Sequence, residues 1–156
     1  MVKNIKKIGD NVLRGKCRKV NNFGSERLNL LLRDMAETMY EENGIGLAAP
    51  QIGIRRRAIV IDIGEGLYEI INPEIVSFSD ETIGMVEGCL SVPGRRGYVV
   101  RPEKLTLKAQ DRLGEELIIE AEGLFARCIQ HEMDHLDGVL YVDKMEYEVF
   151  EEEEAE

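Results

Sequence analysis

A chain of 156 residues, 44% hydrophobic and 32% charged, has the size and balance of one soluble globular domain with a sizeable core. Its net charge of -10, with five of the last six residues glutamate, argues against broad binding to phosphate backbones. No apolar run approaches the roughly 20 residues of a membrane span, and MVKNIKKIGDNVLR lacks the apolar stretch of a secretory leader, so a cytoplasmic protein is expected.

In chain order, the first predicted element is a helix over ERLNLLLRDMAETMYEEN. Ser25 supplies the N-cap, and Leu28, Leu32, Met35 and Met39 form an apolar stripe at helical spacing. Asn43-Gly44 supplies the stop. An apolar, glycine-rich connection, GIGLAAPQIG, leads to the strand-like runs RRAIVIDI and LYEIINPEI. KLTLKAQ and ELIIEAE flank DRLG and predict a β-hairpin. From about Glu122 the period changes to that of a helix ending at Leu136, with Asp137-Gly138 beyond it. Helix, strands and helix make an α+β pattern in a single domain of antiparallel strands packed around the second helix. Three cysteines, Cys17, Cys89 and Cys128, are an odd count for a disulfide framework, so a thiolate is free to bind metal or to sit buried.

The second helix carries the stretch QHEMDH, which holds the only two histidines of the chain, His131 and His135. Four residues apart on a helix, two imidazoles share one face and can share one ion. Catalytic metal sites commonly use three protein ligands and keep a position open for water. Cys128 lies nearest in sequence. An ion shared by the two histidines sits level with residue 133, roughly 7–8 Å along the axis from Cys128, at about 1.5 Å per residue. That exceeds the reach of a cysteine with a metal–sulfur bond of about 2.3 Å, so Cys128 is expected to be a buried wall residue. HEMDHLDGVLY fits the long zincin pattern of the metzincins, except that Tyr141 stands where a third histidine belongs. Cys89, in EGCLSVPG, is a third candidate in a short loop-like stretch, and by itself it is a weak signal.

Taken together, GIGLAAPQ at 44–51, EGCLS at 87–91 and QHEMDH at 130–135 resemble the three ordered motifs of the peptide deformylases, and each is matched at every specified position. The likeness runs from GDNVLR to HLDGVLYVDKM and so covers nearly all of the chain. It implies that Cys89 is the third ligand, beside His131 and His135. It also implies hydrolysis of the formyl group from the N-terminal formylmethionine of nascent polypeptides, with release of formate.

On that resemblance, a metal-held water is activated with Glu132 as general base and later general acid. The side-chain amide of Gln51 and the backbone N–H of Leu90 meet the charge that grows on the formyl oxygen. Gly46, having no side chain, lets a substrate backbone pass close by. Ile45, Leu124 and Cys128 are candidates for the methionine pocket. Arg96 either faces the peptide carbonyls or pairs with surface glutamates. Asp134 makes either a hydrogen bond behind a ligand or an ion pair, and Arg127 sits where an apolar residue would better suit a pocket wall.

One divalent ion per chain is expected: iron(II) by resemblance, with zinc, nickel or cobalt also suited to two imidazoles and a thiolate. The expected organisation is a catalytic domain over 1–150 and a solvated acidic tail over 151–156, in a monomer. The expected partners are formyl-Met peptides and nascent chains, without stable nucleic-acid or membrane binding. Two rivals remain: a zincin-type endopeptidase and a non-catalytic protein with a structural metal.

Overall fold

The computed structural model describes residues 1–150; the acidic tail at 151–156 lies outside the described residues. The fold has two helices and eight strands: α1 (Glu26–Glu41), β1 (Gly46–Ala48), β2 (Ala58–Ile61), β3 (Tyr68–Phe78), β4 (Thr82–Cys89), β5 (Val92–Pro102), β6 (Lys104–Gln110), β7 (Glu116–Glu122), α2 (Gly123–Leu136) and β8 (Tyr147–Val149). All strand pairs are antiparallel. They form a five-stranded sheet in the order β1-β2-β3-β6-β7 and a three-stranded sheet in the order β4-β5-β8. The α+β expectation agrees with this architecture.

α1 starts where the Ser25 side chain accepts from the Leu28 N–H at 3.1 Å. It stops because Asn43 turns left-handed at φ 56° and the Gly44 N–H returns to the Met39 carbonyl at 2.9 Å. The stripe Leu28, Leu32, Met35 and Met39 packs on Leu47, Ala58, Val60 and Ile71. On the other face of the sheet, Ala126, Ile129 and Leu136 of α2 pack on Ala48, Ile59, Ile61 and Ile70. Successive residues of β2 thus serve opposite layers, which is why its sequence AIVI is apolar throughout instead of alternating.

α2 lies between the two sheets and meets β1, β2, β6 and β7 on one side and β5 on the other. It ends beneath Arg57, whose guanidinium donates to the Leu136 carbonyl at 3.1 Å, while the Cys17 N–H reaches the same oxygen at 2.8 Å.

Two segments depart from the sequence reading. GIGLAAPQIG is more than a connection: it contains β1 and a 3-10 turn at Ala49–Ile52. Cys89 is the last residue of β4 and not part of a loop; only Leu90 and Ser91 separate it from β5. The β4–β5 hairpin was hidden because β4 lacks a clean alternation. Gly84 leaves room for the Tyr98 ring laid across it, and Glu87 is a buried charge where an apolar residue would be read.

Candidate active site

The three motifs meet through specific contacts. From α2, residues 128, 131, 132 and 135 face the interior, and Cys128, His131, Glu132 and His135 are all buried. The hairpin brings Cys89 to them: its Sγ lies 3.3 Å from His135 Nε2. One ligand atom each from Cys89, His131 and His135 fall within 4.8 Å of one another. Cys128 stands outside this group, as the distance along the helix requires.

Glu87, which the sequence reading passed over, orients the first histidine. Its Oε1 accepts from His131 Nδ1 at 2.8 Å. Arg101 donates to both carboxylate oxygens at 2.6 and 3.0 Å, and Arg127 adds a bond of 2.7 Å. Burial alone would raise the Glu87 pKa, but the bonds from His131 and Arg101 and their charges hold it well below the usual carboxylate range. An ionised carboxylate only accepts, so Nδ1 of His131 carries its hydrogen and Nε2 keeps the lone pair. A period-2 signal was available for Arg101: in β5 the buried positions 97, 99 and 101 alternate, which places a charge on the inward face.

Arg127 resolves the mismatch noted above. Its guanidinium is spent on Glu87, the Val99 carbonyl at 2.8 Å and the Ile83 carbonyl at 2.7 Å, and thereby ties α2 to β4 and β5. Asp134 makes the ion pair and not the bond behind a ligand: it takes Arg101 at 2.9 Å and Lys144 at 3.1 Å.

Gln51 is fully buried and its amide orientation is fixed. Oε1 accepts the Ala48 N–H at 2.9 Å, so Nε2 faces the hairpin, 3.1 Å from Ser91 Oγ and 3.5 Å from Cys89 Sγ. The N-terminal segment backs both motifs, with Lys6 N–H on the Gln51 carbonyl and Ile8 N–H on the Ser91 carbonyl.

A cleft of about 590 Å³ opens over these groups, with Glu132, His131 and Cys128 on its floor. Ile45 and Leu124, placed at its lip, are 43% and 45% exposed, so they are apolar surface and not core. Leu90, Gly46 and Arg96 also line it. His135 sits behind, 1% exposed.

Electrostatically the floor is poised for a cation. Glu132 Oε1 is buried without a hydrogen-bond partner, and its carboxyl is pushed up to about 7, by burial first and by the charges of Glu87 and Asp134. With no ion present, the bonds from Cys89 and Glu87 favour a second proton on His131 in spite of burial, and it is that proton on Nε2 which a bound cation would replace. His135 is driven the other way, by burial and by the charges of His131 and Arg101. Burial also pushes the Cys128 thiol well up, which suits a neutral wall residue. One thiol, two imidazoles and an unpartnered carboxylate oxygen beside them fit a divalent ion with an open position.

Comparison with known proteins points the same way. Residues 2–150 match the family model described as polypeptide deformylase. The chain is 57% identical over 155 residues to the peptide deformylase of Natranaerobius thermophilus, covering 99% of this chain and 98% of that one. It is 55% identical over 152 residues to the peptide deformylase of Caldicellulosiruptor bescii, covering 97% and 90%. The crystal structure of peptide deformylase from Thermotoga maritima superposes with a TM-score of 0.92 at 42% identity, over 94% of this chain and 99% of that one.

Proposed function

The chain belongs to the polypeptide deformylase family, and from that premise we propose which of its residues carry the reaction. The activity is hydrolytic removal of the formyl group from nascent polypeptides, and metal dependence is a general property of the family. The observation that carries the assignment of residues is the juxtaposition of Cys89, His131 and His135 with the unpartnered Oε1 of Glu132 at the floor of an open cleft.

In this reading Cys89 Sγ and the two histidines hold one divalent ion, iron(II) by family expectation, with zinc, cobalt or nickel also suited to the donor set. Such an ion, when bound, polarises the formyl carbonyl and acidifies a water molecule. Glu132 Oε1 takes a proton from the attacking water and returns it to the departing amine. Without the ion, burial pushes this carboxyl up to about 7, so the site itself favours a proton on the group that must take one and return it. Gln51 Nε2, held toward the hairpin by the Ala48 N–H on its partner oxygen, and the Leu90 N–H receive the charge on the formyl oxygen. Ile45, Leu124 and Cys128 surround the methionine side chain, and Arg96 faces the peptide that leaves the cleft.

Residues 1–150 then serve as one catalytic domain, acting as a monomer in the cytoplasm. No helix of the described residues is long and apolar enough to cross a membrane.

The structural-metal rival needs a fourth protein ligand, and among the described residues the cluster has three. The peptidase rival needs a third histidine where Tyr141 stands. Tyr141 instead donates its hydroxyl to the Arg95 carbonyl at 2.8 Å. One experiment separates all three readings: formate release from a formyl-Met peptide, run beside cleavage of casein and metal analysis on the same preparation. Formate release without casein cleavage, at one ion per chain, is expected. Casein cleavage, or bound metal without either activity, overturns the assignment.

A further inference from the structure

On sequence grounds Gly46 has a role toward substrate, as a position where a peptide backbone passes close. The structure shows what its missing side chain would strike on the floor of the cleft. A Cβ built on Gly46 meets Glu132 Oε2 at 2.7 Å, Cys128 Sγ at 2.8 Å and Glu132 Cδ at 3.2 Å. We propose that Gly46 is a positioning residue for the general base: its bare Cα, with the Cys128 thiol, forms the slot that holds the Glu132 carboxylate over the cleft. This rests on the assignment of Glu132 made above.

The slot has two walls. Cys128 and Glu132 are four residues apart on α2 and therefore share one face of it. β1 runs along that face, and its backbone is fixed by pairing of Gly46 with Ile61, Leu47 with Val60 and Ala48 with Ile59 of β2. Those β2 residues are completely buried between the two helical layers, so β1 has no room to retreat. The Cys128 thiol is held in turn, pointing back at the Ile45 carbonyl at 3.8 Å. When a side chain is added at 46, the group free to move is the far end of Glu132, which has no hydrogen-bond partner on Oε1 to hold it. The chain would keep its fold and lose the aim of its base. Gly44 shows the contrasting case two residues earlier: a Cβ there meets Leu90 Cδ1 at 3.0 Å and Met39, so it packs motif against motif and touches no catalytic group.

The two roles for Gly46 predict different kinetics. A substrate-approach role makes Gly46→Ala a KM variant, with kcat largely kept and no interaction with position 128. A positioning role makes it a kcat variant whose defect depends on Cys128. We expect Gly46→Ala to retain one metal ion per chain and a cooperative thermal transition, to change KM for a formyl-Met peptide less than about threefold, and to lose at least about a hundredfold in kcat, by comparison with the 10²–10⁴ that a general base typically contributes. Adding Cys128→Ala removes the sulfur from the slot and gives the carboxylate space to return. The double variant should therefore fall within about tenfold of Cys128→Ala alone, a non-additivity that marks coupled neighbours.

A crystal structure of metal-free Gly46→Ala supplies a readout independent of turnover: the Glu132 carboxylate should be displaced while β1 keeps its register with β2. A KM rise with kcat preserved overturns the proposal, as does an undisplaced Glu132, or a loss from Gly46→Ala that is equal with and without the Cys128→Ala change. If Glu132→Gln itself proves active, it is the assignment of the base that fails, which separates that failure from this one.

Discussion

The two helices are packed in different chemistries. α1 covers one face of the five-stranded sheet with Leu28, Leu32, Met35 and Met39, and what those side chains meet is apolar. α2 covers the other face with one side, but buries Arg127, Gln130, His131, Glu132 and His135 on the side toward the cleft and the three-stranded sheet. The first layer is stabilised by the removal of apolar surface from water, at about 25 cal/mol per Å². In the second, each buried charge is costly unless it is paired, and the Glu87–Arg101–Arg127–Asp134 network supplies the pairs. The α1 layer is apolar core alone, whereas the α2 layer joins an apolar core on its sheet side to the buried charges on its cleft side.

Breaking that division at the proposed metal ligands should give the largest effect. Cys89→Ala is expected to abolish tight metal binding, whereas Cys128→Ala keeps close to one ion per chain, as metal analysis after dialysis would show. The reverse outcome would mean that the donors have been misassigned.

Next comes Glu132→Gln, which should keep its metal and its fold while losing at least about a thousandfold in kcat, roughly 4 kcal/mol of barrier. A variant within tenfold of the parent would refute the mechanism, and one that loses its metal would make Glu132 a ligand.

The α1 layer should behave in the opposite way. Met35 is completely buried, so Met35→Ala should cost about 2–5 kcal/mol of stability through lost burial and a residual cavity. Its kcat, measured well below the lowered Tm, should stay within about twofold of the parent. A selective loss of kcat there would show that the two layers are not separable.

A subtler test uses pH. Glu132 in the folded protein is raised from 4.5 to about 7. A raised carboxyl favours the folded state below its unfolded pKa, and that contribution is lost as pH rises through the folded value. Metal-free Glu132→Gln should therefore gain stability over the metal-free parent between pH 5 and pH 8, by an amount on the order of 3 kcal/mol. Denaturant melts at the two pH values measure it, and a gap that shrinks with rising pH would contradict the burial argument.

The smallest effect is expected from deleting residues 151–156, outside the described residues. A neutral formyl-Met peptide should lose less than about tenfold in kcat/KM, or under roughly 1.4 kcal/mol.

Much of this organisation was legible in the sequence where a single segment carries its own signal. The stripe and caps of α1, the hairpin of β6 and β7, and the H-E-x-x-H spacing on α2 are local, because helix and strand periods are written along the chain. Exclusion of Cys128 from the ligand set was also local, since rise per residue along a helix decides it. Cys89 was different: nothing near it in sequence marked it as a ligand, and only the likeness of three ordered motifs pointed there.

What the tertiary structure alone decided lies between segments. Glu87 reads as an ordinary strand glutamate until β5 and α2 bring Arg101 and Arg127 against it at 2.6 and 2.7 Å. Arg127 reads as a misfit in a pocket wall until Ile83 and Val99 offer it their carbonyls. Gly46 reads only as space for a substrate until α2 brings the Glu132 carboxylate and the Cys128 thiol to where its Cβ would stand. The sequence by itself determined which residues have the chemistry and which local element each one rides on, because those follow from side-chain type and backbone period. Which charge neutralises which, and which atom an absent side chain would strike, was decided only when segments 14 to 86 residues apart were packed together, since Coulomb and steric energies depend on distance in space and not on separation along the chain.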